Sequence, residues 1–356
     1  MSWTAFDESA AGAWDAFVAA QPGGRMVHLT GFRSAVAAIY GLEPFYRVFR
    51  KGGEIRAVFP GFFHPSRIYG RKILSQPFSE YGGLLLGTAV PDAERAAILD
   101  EFAATARRAL RVKRYAHLEM RSPLSLSPAE EGRFHAVPLF KRAVRRIEAA
   151  EVMWKGLDPK DRNIVQKARS YGLIFAEEPG ADPLRSDFYP LYLATMKRLG
   201  TPPHPLAYFL RLSHGLERAM KVFLVRFRGR PVAALVAWAV GTTVHVTDMC
   251  SDEAAFFLKP NDFAVWEFLG WAGENGFATF DFGPVRYRGQ EIFKKKWRME
   301  LRDYSYVYVT DAPDRIRNTF SGGSGLMAAA PAVWKTIMPV GLTRLLGRFL
   351  RREVGL

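Results

Sequence analysis

Two segments of the chain share one pattern of apolar and polar positions. Residues 46–59 (YRVFRKGGEIRAVF) and residues 223–236 (FLVRFRGRPVAALV) each contain an apolar strand, a glycine turn and a second apolar strand. This order is typical of a β-hairpin. The two copies begin 177 residues apart, which predicts a duplicated domain rather than a short-period repeat.

One helix is predicted before the second hairpin and another after it. An amphipathic helix that ends at Gly200 is predicted from side chains at intervals of three and four, namely Phe188, Leu191, Tyr192, Thr195, Met196 and Leu199. A second helix is predicted from Asn261, as its N-cap, to about Asn275, with Gly276 as its stop. A strand over 277–282 follows. The second half therefore has the order helix, hairpin, strand, helix, strand.

The first half contains the same kinds of element. A helix is indicated by an apolar row at intervals of four, namely Ile98, Phe102, Ala106 and Leu110. Residues 115–120 are typical of a strand, and residues 303–309 alternate between two faces, as expected of a strand that closes the second sheet. We therefore predict an α/β fold with mixed sheets in both halves.

The length of the chain indicates more than one domain. At 356 residues, with 49% hydrophobic and 24% charged residues, the chain has ordinary globular composition and exceeds the usual single-domain size. We predict an N-terminal domain over 1–150, a second domain over 151–312, and a linker with a basic amphipathic C-terminal helix over 313–356. The polar, glycine-rich stretch Ser321–Gly325 marks the last division.

The net charge and the cysteine content indicate which partners and which cellular compartment suit the protein. The net charge of +15 favours anionic partners such as phosphates, nucleic acid or an anionic membrane surface. A single cysteine, Cys250, excludes an intramolecular disulfide and suits the cytoplasm. Residues 1–14 lack the features of a signal peptide, and the longest uncharged run, 232–246, is too short to span a bilayer. The scattered histidines predict no catalytic metal.

Five motifs carry a resemblance to a known family: PFSEYGG at 77–83, ATMKRLG at 194–200, LKPNDFAVWE at 258–267, FDFGPVRYRG at 280–289 and FKKKW at 293–297. Over about residues 1–310, the chain resembles the Fem-like branch of the GNAT superfamily. The resemblance implies two fused GNAT-like domains. It also implies transfer of an acyl or aminoacyl group to an amine on a peptidoglycan or exopolysaccharide precursor.

The resemblance leaves the donor open between acyl-CoA and aminoacyl-tRNA, and no firmly bound cofactor is predicted. The glycine-rich pyrophosphate loop of GNAT enzymes is replaced by KPND at 259–262. The N-terminus of the following helix still offers free N–H groups, so Lys259 and Asn261 are candidates for cofactor binding. The helical arm of some Fem aminoacyltransferases is absent, which weakens a tRNA-borne donor without excluding it.

Acyl transfer to an amine needs a stabiliser for the carbonyl oxygen and cations for phosphates. By resemblance, Lys294 is the candidate for stabilising the oxyanion, and Arg198 is the candidate for contact with a sugar nucleotide. Lys296 is a further candidate for substrate binding. Structural alternatives stay open for all three: a solvated basic turn for the lysines, and a cation at a helix C-terminus for Arg198.

The motif around Asp281 adds further candidates. Asp281 lies between two phenylalanines, where a buried carboxylate needs a partner, so a structural pair with an arginine is the leading interpretation and a general base the second. Arg286 and Tyr287 are expected to line the acceptor cleft. His204, in TPPHPL, is either a substrate contact or a turn residue held by prolines. Cys250 has no histidine near it in sequence, which disfavours a thiol mechanism.

The C-terminal segment from Ala332 is basic and amphipathic, and is expected either to lie on an anionic membrane surface or to pack on the first domain. The leading hypothesis is an N-acyltransferase or aminoacyltransferase whose partners are an envelope precursor or nucleotide sugar, with tRNA as a carrier of the donor. The alternative is a non-catalytic GNAT-fold module that binds a polyanionic glycan or nucleotide sugar. DNA is not an expected partner, because no recognition motif accompanies the charge.

Overall fold

The computed structural model describes residues 2–122, 132–316, 334 and 339–355. These residues form two compact units. The first unit holds the described residues up to Phe140, those from Asp303 to Ile316, and those from Phe349 on. The second unit holds Lys141–Arg302 and the described residues from Trp334 to Arg348.

In chain order, the strands are β1 (Trp3–Ala5), β2 (Glu43–Pro44), β3 (Arg47–Lys51), β4 (Glu54–Phe59), β5 (Phe62–Ser66), β6 (Gly70–Leu74), β7 (Leu85–Leu86), β8 (His117–Ser122), β9 (His135–Arg146), β10 (Ile174–Glu177), β11 (Met220–Phe227), β12 (Arg230–Val240), β13 (Thr243–Ser251), β14 (Thr279–Val285) and β15 (Glu300–Val309). The helices are α1 (Ala11–Ala20), α2 (Thr30–Tyr40), α3 (Asp92–Lys113), α4 (Ala150–Gly156), α5 (Pro159–Ser170), α6 (Ala181–Pro183), α7 (Tyr189–Leu199), α8 (Leu206–Gly215), α9 (Pro260–Glu274), α10 (Arg288–Lys295) and α11 (Val340–Val354). A π-helical turn, Leu184–Phe188, joins α6 to α7. Short 3-10 segments lie at Glu8–Ala10, Met26–His28, Glu253–Leu258 and Pro313–Arg315.

The sheet of the second unit has the strand order β10-β11-β12-β13-β14-β9. Its neighbours are antiparallel except β13 and β14, which are parallel. Parallel neighbours need a crossover connection, and α9 provides it. Phe268 and Leu269 of α9 lie in the core with Phe223, Leu235 and Phe280 of the sheet. The predicted mixed α/β fold is confirmed.

The first unit repeats this arrangement. Its sheets have the strand orders β1-β3-β4-β7 and β15-β8-β6-β5-β2. Here β6 and β8 are the parallel neighbours, and α3 connects them. Phe102 and Ala106 of α3 pack with Ile73 and Leu118 of the two strands. Each unit therefore contains one parallel strand pair joined through a helix that packs against it.

Both predicted hairpins are confirmed. β3 pairs with β4, and β11 pairs with β12, in antiparallel register. The turns hold consecutive residues with positive φ: Gly52 and Gly53 in the first hairpin, and Arg228 and Gly229 in the second. Two such positions in a row are what a tight hairpin turn requires. The glycine signal in the sequence therefore marks both turns correctly.

The predicted helices flanking the second hairpin are present, with one boundary corrected. α7 ends at Leu199, and its C-cap, Gly200, has a left-handed φ of 72°. α9 begins at Pro260, and its N-cap is Lys259 instead of Asn261. Proline is favoured at the first helical position, because the N–H it lacks would have no partner within the helix. β14 lies slightly C-terminal to the predicted strand over 277–282.

The end of α11 contacts the rest of the first unit. Arg352 Nε donates to the carbonyl of Tyr40 at 2.9 Å, and the Arg352 carbonyl lies 2.6 Å from His64 Nε2. Arg121 Nη2 donates to the carbonyl of Gly355 at 3.2 Å. For this end of the helix, the structure agrees with the alternative in which the C-terminal segment packs on the first domain.

The described residues contain neither a membrane-spanning helix nor a cluster of metal-ligating side chains. No helix among them is long and apolar enough to cross a bilayer. Nor do their histidine, cysteine and acidic side chains form a group of three that could hold a metal ion. The stretch Ser321–Gly325 and the C-terminal positions Ala332, Lys335 and Ile337 lie outside the described residues.

The first unit buries a cluster of charged side chains on β6 and β8. The carboxylate of Glu119 accepts hydrogen bonds from Lys72 Nζ at 2.9 Å and from Arg121 Nε at 3.1 Å. Burial opposes ionisation of Glu119, but the two cations outweigh it and lower its pKa to about 2. His64 and His117 lie close to this cluster. Burial and then the charge of Lys72 lower the pKa of each imidazole to about 4.

We expect the free energy of unfolding to fall as the pH is lowered from 7 to 4. An unfolded histidine binds a proton near pH 6.5, whereas folded His64 and His117 bind one only near pH 4. The contribution of the two uncharged imidazoles to the free energy of unfolding is fully present above pH 6.5 and is lost as the pH falls towards 4. The slope is at most about 1.4 kcal/mol per pH unit for each histidine. Urea unfolding at a series of pH values measures it.

Two variants test the assignment of this slope. The double variant His64→Gln/His117→Gln should have a shallower dependence on pH, because it lacks both buried imidazoles. His214→Gln is the matched control, since His214 is exposed and should leave the slope unchanged. A double variant with the wild-type slope would contradict the explanation.

Candidate active site

The parallel strands β13 and β14 are paired over a short length. Their register comprises three pairs, of which the last is His245 opposite Asp281. Beyond this pair, β13 runs on to Ser251 and β14 to Val285. The backbone groups on the facing edges of these two strand ends must therefore find partners other than each other.

Lys294 provides a partner for part of this edge. Its side chain is 7% exposed, and Nζ donates to the carbonyl of Phe282 and, at 2.7 Å, to that of Pro284. Between these carbonyls, Gly283 has a φ of 74°, a conformation that glycine adopts without steric cost. The alternative of a solvated basic turn does not hold for Lys294, because α10 carries its ammonium group to the buried strand end.

Gly283 is the point at which several polar groups meet. A Cβ atom added to Gly283 would lie 3.8 Å from His245 Nε2, 3.8 Å from the Val246 carbonyl oxygen and 3.9 Å from Lys294 Nζ. Both His245 and Lys294 are buried. An imidazole and an ammonium group therefore flank one backbone position, at the place where the two strands separate.

Asp281 is fully buried beside this point. Its Oδ1 accepts the N–H of Gly283 at 3.0 Å, and its Oδ2 lies 3.4 Å from Nη1 of Arg142 on β9. The predicted pairing of Asp281 with an arginine is therefore confirmed. The carboxylate both supports the turn of the chain at Gly283 and places a negative charge on the strand next to His245.

His245 is the member of this cluster that sequence reasoning missed. The strand signal around it was visible, since Val244 and Val246 flank it in an apolar stretch. Its position opposite Asp281, however, depends on which strands are parallel neighbours and in what register. Neither follows from the local sequence.

Arg198 and Asn261, predicted for different roles, both contact Ser251 at the end of β13. Arg198 Nη1 donates to the Ser251 carbonyl at 3.4 Å, and its guanidinium lies 4.8 Å from the ring centroid of Phe256. Asn261 Nδ2 donates to Ser251 Oγ at 3.2 Å. Thr195 Oγ1 accepts the Ser251 N–H at 3.2 Å. The guanidinium group of Arg198 and the side-chain amide of Asn261 thus lie next to the C-terminal end of β13.

The N-terminus of α9 already carries a negative charge. Asp262 lies in its first turn and pairs with Lys296 Nζ at 3.0 Å. Lys259, at the N-cap, is exposed and has a left-handed φ of 59°. An acidic side chain near a helix N-terminus interacts favourably with the helix dipole. The carboxylate of Asp262 therefore lies between the positive end of the α9 dipole and the ammonium group of Lys296.

Arg286, Tyr287 and His204 are also predicted to contact the substrate. Arg286 and Tyr287 are exposed between β14 and α10, and the N–H of Arg286 donates to Gln290 Oε1 at 2.9 Å. His204 is buried, and its ring stacks on Tyr208 at a centroid distance of 4.3 Å. The packing of His204 matches its alternative role as a held turn residue. A substrate contact by any of the three stays a prediction.

Cys250 is poorly suited to nucleophilic chemistry. Its side chain is buried, and burial raises the pKa of the thiol well above its ordinary value, with the charge of Asp248 adding to the effect. Because the thiolate is the reactive form, the thiol of Cys250 is unreactive near neutral pH. The environment therefore agrees with a mechanism that has no covalent thioester.

Residues 140–295 match the model of a family described as acetyltransferase (GNAT) domain. This segment contains the parallel pair β13 and β14, the crossover helix α9 and the cluster around Gly283. The match shows that this segment is similar to the GNAT domain of acetyltransferases. The match is to this segment, which makes up less than half of the chain.

Solved structures extend the likeness over most of the chain. FemX superposes with a TM-score of 0.69 at 13% identity, covering 86% of this chain and 97% of that one. L-PGS from Bacillus licheniformis gives 0.52 at 13% identity over 90% and 96%. A tandem GNAT protein from the clavulanic acid biosynthesis pathway gives 0.50 at 10% identity over 86% and 97%. No curated protein sequence matches this chain significantly.

At such identities the likeness establishes the fold. The predicted tandem GNAT fold is confirmed, and so is the resemblance to Fem-like proteins at the level of structure. The likeness does not show that this chain acts on the substrates of those proteins.

Replacing Lys294 by methionine should lower the free energy of unfolding by about 1–3 kcal/mol, because two carbonyls lose their buried donor. Lys295→Met is the matched control. Lys295 is 58% exposed and pairs with Glu291 one turn earlier, so its loss should cost less than about 0.5 kcal/mol. Urea unfolding of both variants measures the difference. Equal costs would show that Lys294 has no special role at the strand end.

Proposed function

We propose that the protein is an N-acyltransferase or aminoacyltransferase that acts on an amine-bearing, phosphate-containing precursor of the cell envelope, of the peptidoglycan or exopolysaccharide type. The observation that carries the proposal is the convergence of His245, Asp281 and Lys294 where two parallel strands of a GNAT domain separate. The likeness to FemX and L-PGS supports it at the level of fold. We propose a cytoplasmic location, in keeping with the single buried cysteine.

The proposed reaction is a direct attack. The acceptor nitrogen attacks the carbonyl carbon of the donor, a C–N bond forms, and the carbonyl oxygen gains negative charge. We assign Lys294 to stabilise that oxygen, because its ammonium group is already fixed at the strand separation. Collapse breaks the bond to the thiol or hydroxyl of the donor carrier, which leaves with a proton. The chain needs no acyl-enzyme intermediate.

The acceptor amine must lose a proton, and we assign His245 as the general base that accepts it. An ion-paired carboxylate is a weak base, and Asp281 is paired with Arg142. The imidazole of His245 is the other basic group at the site. The negative charge of Asp281, on the neighbouring strand, favours the imidazolium that forms. Asp281 then acts as a positioning residue for the base.

His245→Gln should lower kcat by a factor of about 100 to 10 000, the usual contribution of a general base. Asp281→Asn should retain more activity, and should move the acidic limb of the pH profile of kcat/KM to lower pH, since the imidazolium loses its stabilising charge. Initial rates across a pH series measure both effects. A His245→Gln variant with wild-type kcat would remove His245 from the mechanism.

The donor is acyl-CoA or aminoacyl-tRNA in this proposal. Lys259 and Asn261, at the start of α9, are the residues we assign to the phosphates of the donor. Arg198 lies next to the end of β13 and is assigned to the phosphates of the acceptor. The exposed Arg286 and Tyr287 are further candidates for acceptor binding.

A thermal-shift screen tests ligand and site together. Acetyl-CoA, a longer acyl-CoA, a nucleotide-sugar peptide precursor and an aminoacyl-tRNA are added singly, and a ligand of the native state should raise the midpoint. Arg198→Ala should abolish the shift caused by the precursor. Arg211→Ala, an exposed arginine on α8, is the control that should retain it. Product formation from the stabilising pair, followed by mass spectrometry, establishes transfer.

A second candidate function is a non-catalytic module that binds a polyanionic glycan or nucleotide sugar. The observation that favours it is the pair of Asp262 with Lys296, which occupies the first turn of α9 where a donor phosphate would bind. This function requires a shift with the precursor, no product with either donor, and no effect of His245→Gln on affinity. Product formation would eliminate it.

A further inference from the structure

Phe257 exposes an aromatic ring to solvent in the second unit. It lies in the 3-10 segment Glu253–Leu258, directly before α9, and is 63% exposed. Residues three apart in a 3-10 helix share one side. Ala254 therefore lies on the side of Phe257, whereas Glu253 lies on the side of Phe256. Within this segment, only the methyl group of Ala254 shares the side of Phe257.

Tyr171 fixes the orientation of this ring. The two ring centroids lie 6.4 Å apart with the ring planes at 71°, an edge-to-face contact. Tyr171 in turn packs against the core cluster that contains Leu258 of the same segment. The neighbouring Phe256 differs, because the guanidinium of Arg198 lies over its ring at 4.8 Å. Phe257 is therefore an oriented aromatic ring that is open to a ligand.

Cationic side chains lie near the ring. Lys167 Nζ, on α5, is 5.9 Å from the ring centroid of Tyr171. Lys259 follows Phe257 by two residues, so their Cα atoms lie within about 8 Å of each other. Both lysines are exposed. An open aromatic ring with ammonium groups beside it matches a nucleotide, because the base stacks on the ring and the phosphates pair with the cations.

The size of the exposed apolar surface favours a nucleotide over a protein partner. A stable protein interface buries about 800 Å² on each partner and depends on a cluster of apolar anchors. At this place a single ring is open on its side of the 3-10 segment. One aromatic ring is sufficient to bind one base by stacking.

The ring is remote from the groups assigned to the chemistry. Asn261, four residues after Phe257, bonds to Ser251 at the end of β13. Ser251 is six residues from His245 along that strand, roughly 20 Å at the usual rise per residue. A base on Phe257 therefore belongs to a distant part of a substrate. CoA and tRNA both carry nucleotides at a distance from their acyl group.

The neighbours of Phe257 favour the donor over the acceptor. Arg198, which we assign to the acceptor, contacts Phe256, and Phe256 lies on another side of the 3-10 segment. Phe257 instead contacts Tyr171, at the end of α5, and is close in sequence to Lys259, which we assign to the donor.

We propose that Phe257 is the stacking site for a base of the nucleotide that carries the donor acyl group, with Lys167 and Lys259 on its phosphates. The inference rests on the proposed function, to which it adds the residue that binds the donor nucleotide. Asp262 already places a negative charge in the first turn of α9. Stacking on Phe257 then supplies binding that a glycine-rich phosphate loop would otherwise provide.

Isothermal titration calorimetry of the full-length chain tests the proposal with four probes. They are acetyl-CoA, acetyl-phosphopantetheine, an RNA oligonucleotide that ends in CCA, and uridine diphosphate. The wild type should bind acetyl-CoA or the RNA, and the one that binds identifies the source of the base. Phe257→Ala should lower that affinity by about 5- to 150-fold, the usual contribution of stacking on one base, and Phe257→Trp should retain it.

Two further measurements separate stacking from a general effect on the fold. Acetyl-phosphopantetheine has the arm of CoA without the adenosine, so Phe257→Ala and the wild type should bind it equally. In a transfer assay, Phe257→Ala should raise the KM of the donor by the factor found in calorimetry and leave kcat unchanged. Stacking far from the reacting atoms is equally strong in the ground state and the transition state.

Matched controls cover the loss of an apolar side chain and the loss of a charge. Lys167→Gln should weaken binding of the nucleotide several-fold at low salt and less at high salt. Lys160→Gln removes another exposed lysine of α5, two turns earlier, and should bind within about two-fold of the wild type. Val152→Ala, at a position that is 53% exposed on α4, should do the same. Thermal midpoints verify that every variant is folded.

Three results would overturn the inference. The first is a wild type that binds neither acetyl-CoA nor the RNA, and the second is a Phe257→Ala variant that binds them as tightly as the wild type does. The third is binding through Phe257 of uridine diphosphate alone, which would assign the ring to the acceptor.

The failure of the inference is distinguishable from the failure of the proposed function. A Phe257→Ala variant that forms product with the KM of the wild type would remove the stacking site and leave the transferase in place. Binding of a donor through Phe257, with no product from any acceptor, would leave the stacking site in place and favour the non-catalytic module.

Discussion

The second unit depends on one constraint: the facing edges of two buried strands must be satisfied after their mutual register ends. The pairing of β13 with β14 stops at His245 and Asp281, and both strands continue. Buried backbone groups without partners are costly. Lys294 provides donors for two of the carbonyls, and Asp281 accepts the N–H between them. The groups that could perform chemistry are thus also the groups that make this strand end stable.

The first unit meets the same constraint in a different way. Its parallel pair also has three register positions, and the last places Leu74 opposite Glu119. Glu119 thus corresponds to Asp281, and each is a buried carboxylate. Two residues further on, the second unit has Gly283 whereas the first has Arg121, a fully buried side chain bonded to the carbonyl of Gly355. The position two residues after the buried carboxylate is therefore a glycine in one unit and a buried arginine in the other.

The elements of the fold were largely predictable from the sequence, because each has a local signal. Gly52 and Gly53 specify the first hairpin turn, Gly229 specifies the second, and the period of apolar residues specifies α3, α7 and α9. The error at the start of α9 is instructive: Asn261 is a good N-cap residue, but Pro260 fits the first helical position and frees the Asn261 amide to bond Ser251.

The site was predictable only in part. Lys294 and Asp281 were found through motifs, and the arginine partner of Asp281 followed from the cost of burying a carboxylate. The identity of that arginine, Arg142, depends on the pairing of β9 with β14, which connects residues far apart in sequence. His245 was missed for the same reason. Local patterns specify elements, whereas contacts between distant strands require the register.

The pairing of Arg121 with the carbonyl of Gly355 has a consequence for synthesis of the chain. The first unit takes β15 and the end of α11 from the C-terminal part of the sequence, whereas the sheet of the second unit comes entirely from Lys141–Arg302. Domains usually fold in the order in which they leave the ribosome. Here the order is inverted: the second unit can form its sheet during translation, and the first is complete only after Gly355 has been synthesised.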